Sequence, residues 1–466
     1  MFRDLSSSKK RIVVAGGGAA GVAAAAAAGK VVAGNAEVWL IESESGLGGD
    51  LCSGMPILGS YTARGKRIIG GVLDELTDFC KSNDGYIGSV CDWRAVVGLC
   101  LNPLTMQCAT YRLTRERRVN VLLGSTITEV VRIDNAVKAV RVSCRDGRSA
   151  TIPCDYVVDA TGGGHIVQMA AGEVLQGDAE RRFQPVSLIF RMSGVQYMDL
   201  LNFIHRKPAE ALLAENPALP ADPAEAARRL RDAGWPYVAL SAKGKLLGTA
   251  IGDGRMHPCT AVFITPTDAM RGEVCLNTTR LAGADFTDPT VLSRLMPTLL
   301  DQVRLAAQFL RKDVPGFAAA SVSAIAHRIG VRETGRIVGR RTLTQEEVVG
   351  AKMPSDAIAL GCHHVDIHGS GVEQLRIPVA DGGAYGIPYE CLLPHGLDNV
   401  AAAGRCISSD RGANGSARVM GTCLATGEAA GTAVALAVRQ QPPTLAQIDR
   451  SALRYELAAN GAVLDA

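Results

Sequence analysis

The sequence predicts an α/β fold in which a doubly wound nucleotide-binding unit is interrupted by a second, α+β unit. Three observations predict it. A β-branched run, "RIVVA" (11–15), ends in three glycines and opens into an alanine-rich stretch. A second run, "EVWLIE" (37–42), closes on an acid. Near the far end, "NVAAAG" (399–404) leads to a long Ala/Gly-rich helix pattern, with sequence of a different character in between.

The first element has a rival reading. "KKRIVVAGGGAAGVAAAAAAG" (9–29) has the basic start and apolar run of a secretory signal. Gly16, Gly17 and Gly18 oppose that, because each Gly inside an apolar helix costs about 1 kcal/mol relative to Ala. A strand, a tight turn and a helix accommodate them. Gly16, Gly18 and Gly21 fit G-x-G-x-x-G. The first allows the turn, the second lets backbone approach a pyrophosphate, and the third lets helix pack on strand. The helix N-terminus at Ala19 and Ala20 then offers free N–H groups to phosphate. Glu42 follows Gly16 by 26 residues, somewhat more than the usual spacing of about 20. It is placed to accept hydrogen bonds from a ribose. The segment is therefore expected to be retained and the protein to be cytoplasmic.

Composition narrows the class. Forty-nine Lys and Arg against 46 Asp and Glu leave a net charge of +3, too balanced to indicate a nucleic-acid partner. The sequence reads as lacking an 18-residue apolar stretch, so no membrane association is expected. Thirteen cysteines without any C-x-x-C argue against a disulfide framework, a zinc ribbon and an iron–sulfur cluster. Glycine clusters mark where a ligand would approach backbone. They fall in "ESESGLGGDLCSGMP" (42–56), "CDYVVDATGGG" (154–164) and the last third of the chain. There Gly421, Ala425, Ala429 and Ala433 recur at helical spacing. That smooth face suits close packing on another helix or on a flat ligand.

These motifs together resemble the FAD-dependent oxidoreductase family of the glutathione-reductase-like flavoproteins. The resemblance runs over roughly residues 10–440. It is carried by the glycine fingerprint with Glu42 and Gly48-Gly49, "DATG" (159–162), "QPVSLIFRMSGV" (184–195), "GEVCLNTTR" (272–280), "IGVRETGRIVG" (329–339), "GIPYECLLP" (386–394) and "AGRCISSDRGANGSARVMGTC" (403–423). It implies a Rossmann-type FAD-binding domain and bound FAD. Gly16, Gly18, Ala19, Ala20 and Gly21 would take the pyrophosphate, with Glu42 and Ser43 at the ribose and Gly48, Gly49 and Cys52 beside the phosphates and flavin. Ile127 would meet adenine through its backbone, and Ala160, Thr161 and Gly162 would line the nucleotide. Gly404, Arg405 and Ser416 would follow the phosphate and ribityl chain. Arg418, Val419 and Met420 would open the last helix beneath the flavin, where a helix N-terminus and a guanidinium stabilise negative charge on the reduced ring. The alternative for Arg418 is a surface salt-bridge partner.

The chain departs from the family pattern twice. Gly163-Gly164-His165 stand where the family usually has Asp-Gly-Asp, and Gly335 stands where it usually has Arg. His165 is itself a minor candidate for proton transfer.

The expected domains are an FAD-binding domain over 9–185 and 381–440, a substrate domain over 186–380, and a C-terminal tail over 441–466. In the substrate domain Arg332 and Arg336 lie four apart, on one face if the segment is helical. They suit either an anionic substrate or structural pairing with Glu333. "CHHVDIH" (362–368) puts His364, Asp366 and His368 on one strand face. At about 3.3 Å per residue the two histidines stand too far apart for one metal, so none is assigned. His363, His364 and His368 are candidates for acid/base work, against plain structural hydrogen bonding. Cys52 reads as a covalent flavin attachment, a reactive thiol or a small buried residue.

The expected reaction moves a hydride between a small, anionic organic substrate and flavin N5, with an unnamed electron donor or acceptor; the oligomeric state is left open. Three readings compete: a disulfide reductase, disfavoured by the absent C-x-x-C, a flavin monooxygenase, and an FAD-binding subunit of a larger redox complex.

Overall fold

The computed structural model describes residues 8–220, 222–369 and 374–465. Strand β1, Arg11–Ala15, is buried along its whole length at the centre of a five-stranded parallel sheet. Across the sheet lie Val400–Ala402, Tyr156–Asp159, β1, β2 (Glu37–Ile41) and Asn120–Leu122. Both faces are covered, which is why these strands are continuously apolar instead of alternating. Residues 9–29 thus supply the central strand, its turn and the first helix.

Helix α1, Ala19–Val32, packs on the long helix Met420–Gln440. The approach is backbone-close: a Cβ on Gly427 would stand 2.2 Å from the Ala20 carbonyl oxygen, and one on Gly431 would stand 2.1 Å from that of Ala24. The close contact with another helix thus runs through Gly427 and Gly431, on the other side of the helix from the expected row of Gly421, Ala425, Ala429 and Ala433, where Gly421 instead packs on Leu58–Ser60. Contrary to the sequence reading, Met420–Gln440 is long and apolar enough by length and composition to cross a membrane, but 89% of that stretch is buried inside the protein. Alanine and glycine lower its apparent apolarity, while the helix it meets accounts for its burial.

A second, antiparallel sheet of five strands follows the order Val238–Ser241, Ala261–Asp268, Glu273–Asn277, Phe190–Ser193, Ser321–Ile325. With helices Tyr197–Arg206, Pro223–Ala233 and Pro289–Asp313 it forms its own core between Phe183 and Ala320. Leu343, Val348, Ile358, Val365 and Val379 pack instead in the core that holds Ile12 and Val14. So do Leu445, Leu453 and Leu457 of the expected tail. Apolar runs announce burial but not the partner, so residues 343–379 and 445–457 could not be assigned to that core from their own sequence.

Residues Gly335–Ile337 form a strand antiparallel to Val174–Gln176. The helix that would align Arg332 with Arg336 is absent.

Candidate functional site

The turn after β1 shows why its glycines are needed. Gly16 has φ +94°, and a Cβ there would stand 2.6 Å from the Ala160 carbonyl oxygen. A Cβ on Gly21 would collide with the Gly16 carbonyl at 1.7 Å, whereas one on Gly18 would meet nothing within 4 Å. Gly16 and Gly21 are demanded by packing, and Gly18 faces open space at the N-terminus of α1. The Glu42 carboxylate ties β2 to this turn, accepting the Gly17 N–H at one oxygen and the Glu44 N–H (2.8 Å) and Ser43 hydroxyl (3.1 Å) at the other. It retains acceptor capacity for a ribose, since a carboxylate offers about four lone-pair sites. Gly48 donates its N–H to the Gly17 carbonyl at 2.8 Å, and a Cβ on Gly49 would come within 3.3 Å of Gly18 Cα. The second glycine pair therefore lies along the first.

An elongated cavity of about 360 Å³ starts here. Glu42, Ser43 and Ile127 line one end, Gly16, Gly18, Ala19 and Ala20 the turn, and Ala160, Thr161, Gly162 and His165 one wall. Beside Ile127 the register of its strand shifts against the neighbouring strand, a bulge that re-aims backbone. Gly404, Arg405, Arg418 and Met420 line the other end. A second cavity, about 230 Å³, shares Asp50, Arg405, Arg418 and Met420 with the first. It continues past Val419 to Arg332, His363, His364, Asp366 and His368. Residues far apart in sequence thus line one continuous path, from β2 past the N-termini of two helices to a histidine-bearing wall.

The model described as FAD dependent oxidoreductase matches residues 11–457. The chain belongs to that family. It is accordingly a flavoenzyme that uses FAD. No curated protein matches the sequence. Among solved structures, a geranylgeranyl bacteriochlorophyll reductase-like protein from Thermoplasma acidophilum is 12% identical, with 97% of this chain and 85% of that one covered at a TM-score of 0.47. For p-nitrophenol 4-monooxygenase from Pseudomonas putida the figures are 12%, 97%, 88% and 0.47. For a flavin-dependent brominase they are 12%, 96%, 82% and 0.45.

The residues present fit FAD. The open space at Gly18, the first-turn N–H groups without intrahelical partners and the length of the first cavity suit a pyrophosphate and adenosine. Arg418, whose Nε is buried without a hydrogen-bond partner, lies at the junction of the two cavities beside the N-cap residue Val419. Arg328 is a cation the sequence reading missed. It lines the first cavity, bonds Asp50 at 3.1 Å and lies over Gly49. Its only local signal was its place four residues before Arg332.

Other candidates sit elsewhere. Ser416 lines neither cavity; it is fully buried, donates to the His363 carbonyl and so accepts the Tyr385 hydroxyl at 2.7 Å. It fixes the histidine segment. Cys52 donates to the Leu47 carbonyl at 3.5 Å and lines a separate recess with Gly49 and Asp50. Burial pushes its thiol up to about 12, which suits the small buried residue and not a thiolate. Arg336 is 5% exposed and lines neither cavity. It bonds Glu333 at 2.9 Å and the carbonyls of Ser409 and Gly177. It is a structural arginine, not a substrate anchor.

Arg332 does line the second cavity. Its hydrogen bonds among the described residues go to neutral oxygens, the Pro185 carbonyl at 2.7 Å and Ser187 Oγ at 2.9 Å. Burial, then the charge of Arg418, push its guanidinium down to about 10. The histidines differ in what they can do. His368 Nδ1 faces Arg280 Nη1 at 3.1 Å, and a guanidinium only donates, so Nδ1 accepts and Nε2 carries the proton toward Asp366 Oδ2, also 3.1 Å away. Burial pushes its pKa down to about 4. Both ring nitrogens are engaged. His363 Nδ1 donates to the His364 carbonyl at 2.8 Å, which leaves Nε2 as an acceptor on a ring that lines the cavity. Burial holds His363 below its usual range, hence neutral at pH 7. The His364 ring stacks on it at 4.0 Å.

Proposed function

We propose that the protein is a dehydrogenase or reductase of glutathione-reductase-like build, acting on a small anionic organic substrate. The observation that carries this is Arg332: a half-buried guanidinium on the wall of the second cavity whose hydrogen bonds go to neutral oxygens. A cation drawn out of water without a counter-ion is costly, and a substrate carboxylate would relieve it with two parallel hydrogen bonds. When bound, FAD supplies a hydride acceptor or donor at N5. Arg332 and Arg418 orient the substrate's acid group. His363 Nε2, unprotonated and fixed by the His364 carbonyl, takes the proton that leaves the substrate heteroatom. His368 and Asp366 hold the wall on which His363 and Arg418 stand. The electron donor or acceptor is left open, and a cytoplasmic location is part of the proposal.

The test is anaerobic mixing of the yellow holoenzyme with panels of hydroxy, amino and unsaturated carboxylic acids. Bleaching of the visible flavin band by one of them, and slow bleaching by its amide, is expected. Reduction only by NAD(P)H, coupled to oxygen uptake and a hydroxylated product, would make the protein a monooxygenase instead.

A further inference from the structure

The second cavity has a cationic wall away from Arg332. Arg94 and Arg376 both line it, and they share one carboxylate. Arg94 Nε donates to Glu215 Oε2 at 2.6 Å, and Arg376 Nη1 donates to the same oxygen at 2.8 Å. The two guanidinium groups thus hydrogen-bond a single carboxylate oxygen between them. Each arginine also keeps a buried nitrogen without a partner: Nη2 of Arg94 and Nε of Arg376. The Arg94 side chain is 5% exposed, so its free nitrogen is beyond the reach of bulk water. A buried donor left unmade costs roughly 1–3 kcal/mol, more when charged. The nearest further acid to Arg376, Asp366, stands 3.8 Å from its Nε, outside hydrogen-bond distance, and is already engaged by His368 and Gln374. Asp92, next to Arg94 on this wall, has one oxygen saturated by the N–H groups of Arg94, Ala95 and Val96. Among the described residues, none accepts a hydrogen bond from these two arginine nitrogens.

The surroundings are apolar. Phe263 lies 5.4 Å beneath the Arg94 guanidinium, and Pro56, Leu58, Tyr237 and Val238 line the cavity with it. A guanidinium on an aromatic floor is desolvated and presents its N–H edge to a planar oxyanion. We infer that Arg94 and Arg376, bridged by Glu215, form a carboxylate receptor for the remote end of an amphipathic acid whose apolar body lies against Phe263 and Tyr237. This rests on the second cavity being the substrate's. It makes the substrate longer than an acid held by Arg332 alone.

The experiment uses the FAD-loaded enzyme and two probes, phenylacetate and its neutral isostere phenylacetamide, each titrated against the visible flavin spectrum. Phenylacetate should bind at least about tenfold more tightly than the amide, a factor that one charge-assisted hydrogen bond supplies. The ratio should fall to near one in Arg94→Gln and in Arg376→Gln, and survive in part in Arg94→Lys. FAD content and melting temperature show whether each variant is folded; if Arg94→Gln is not, Arg376→Gln and Arg94→Lys decide. Wild-type ratios in the folded variants overturn the receptor. So does loss of the ratio only in Arg332→Gln, which would leave the anionic-substrate reading standing. Equal binding of acid and amide by the wild type, or no binding of either, would overturn both.

Discussion

Gly335 faces the backbone of Gly163 so closely that a Cβ on Gly335 would stand 2.1 Å from the Gly163 carbonyl oxygen and 2.5 Å from Val174 Cγ1. Gly163 opens one of the two stretches that set this chain apart from the pattern it resembles and Gly335 is the other, and they touch. The space a longer residue at 335 needs is occupied by the loop at 163. Gly335→Ala should lower stability by about 1–3 kcal/mol, the usual cost of overpacking. Chemical denaturation of the holoenzyme measures it, and an unchanged midpoint would mean that the contact relaxes freely.

Gly18→Val should give a folded protein without FAD. A side chain at 18 meets nothing in the protein, and Gly18 has φ −71°, which any residue adopts. The new methyls fill the space where a pyrophosphate would lie against backbone. Gly21→Val should not fold, because its Cβ would overlap the Gly16 carbonyl. Circular dichroism with flavin release on denaturation separates the two outcomes; full FAD occupancy in Gly18→Val would remove the turn from the cofactor site.

Arg332 and Arg336 should part company under substitution. Arg336→Met leaves Glu333 with Arg411 as its remaining cation, at 3.1 Å, and should cost about 3 kcal/mol of stability. Arg332→Lys should keep stability and FAD, and slow flavin reduction at least about tenfold with a raised KM, because lysine keeps charge but loses the two-pronged grip. Denaturation midpoints and stopped-flow reduction measure the two effects. Equal loss of stability in both variants would return Arg332 to a structural role.

Glu428, on the long helix Met420–Gln440, accepts the Val72 N–H at 3.1 Å. Burial pushes its carboxyl up to about 8, against about 4.3 in an unfolded chain. The folded state therefore binds the extra proton between those values. Its contribution is fully present below the unfolded pKa and is lost as pH rises through about 8. Lys30 nearby opposes the shift, and Glu75 and Asp74 add to it. Glu428→Gln, neutral at every pH, should gain stability relative to wild type as pH rises from 6 to 9. Denaturation midpoints across that range show it, and parallel curves would mean that Glu428 is ionised when folded.

Gly16, Gly18, Gly21 and Glu42 were legible in the sequence because a strand, a tight turn and a helix constrain one another within a few dozen residues. The same local reasoning failed at Arg336, where spacing was converted into a shared face on the premise of a helix that is a strand. It failed at Ser416 because proximity in sequence to glycine-rich motifs is not proximity to the cavity, whereas Cys52 lines a separate recess in keeping with the small packed residue that was one of its readings. Arg94 left no signal at all. Its significance arises from Glu215 and Arg376, 121 and 282 positions further on, and no pattern in "DWRAV" announces either. The fold was readable where contacts are local; of the second cavity, Arg332 and the three histidines were readable, and the Arg94–Glu215–Arg376 bridge was not, since only tertiary folding brings those residues together.

The contact between α1 and Met420–Gln440 orders events during synthesis. The ribosome releases the phosphate turn first, yet its helix has no partner until some four hundred further residues have emerged. An alanine-rich helix of 14 residues is marginal alone in water. For most of translation the nascent chain carries a glycine fingerprint that cannot yet grip a nucleotide, while the antiparallel unit, whose strands and buried core fall within residues 183–325, is free to fold first. A chain cut short anywhere before the long helix would retain every residue of the fingerprint and remain colourless.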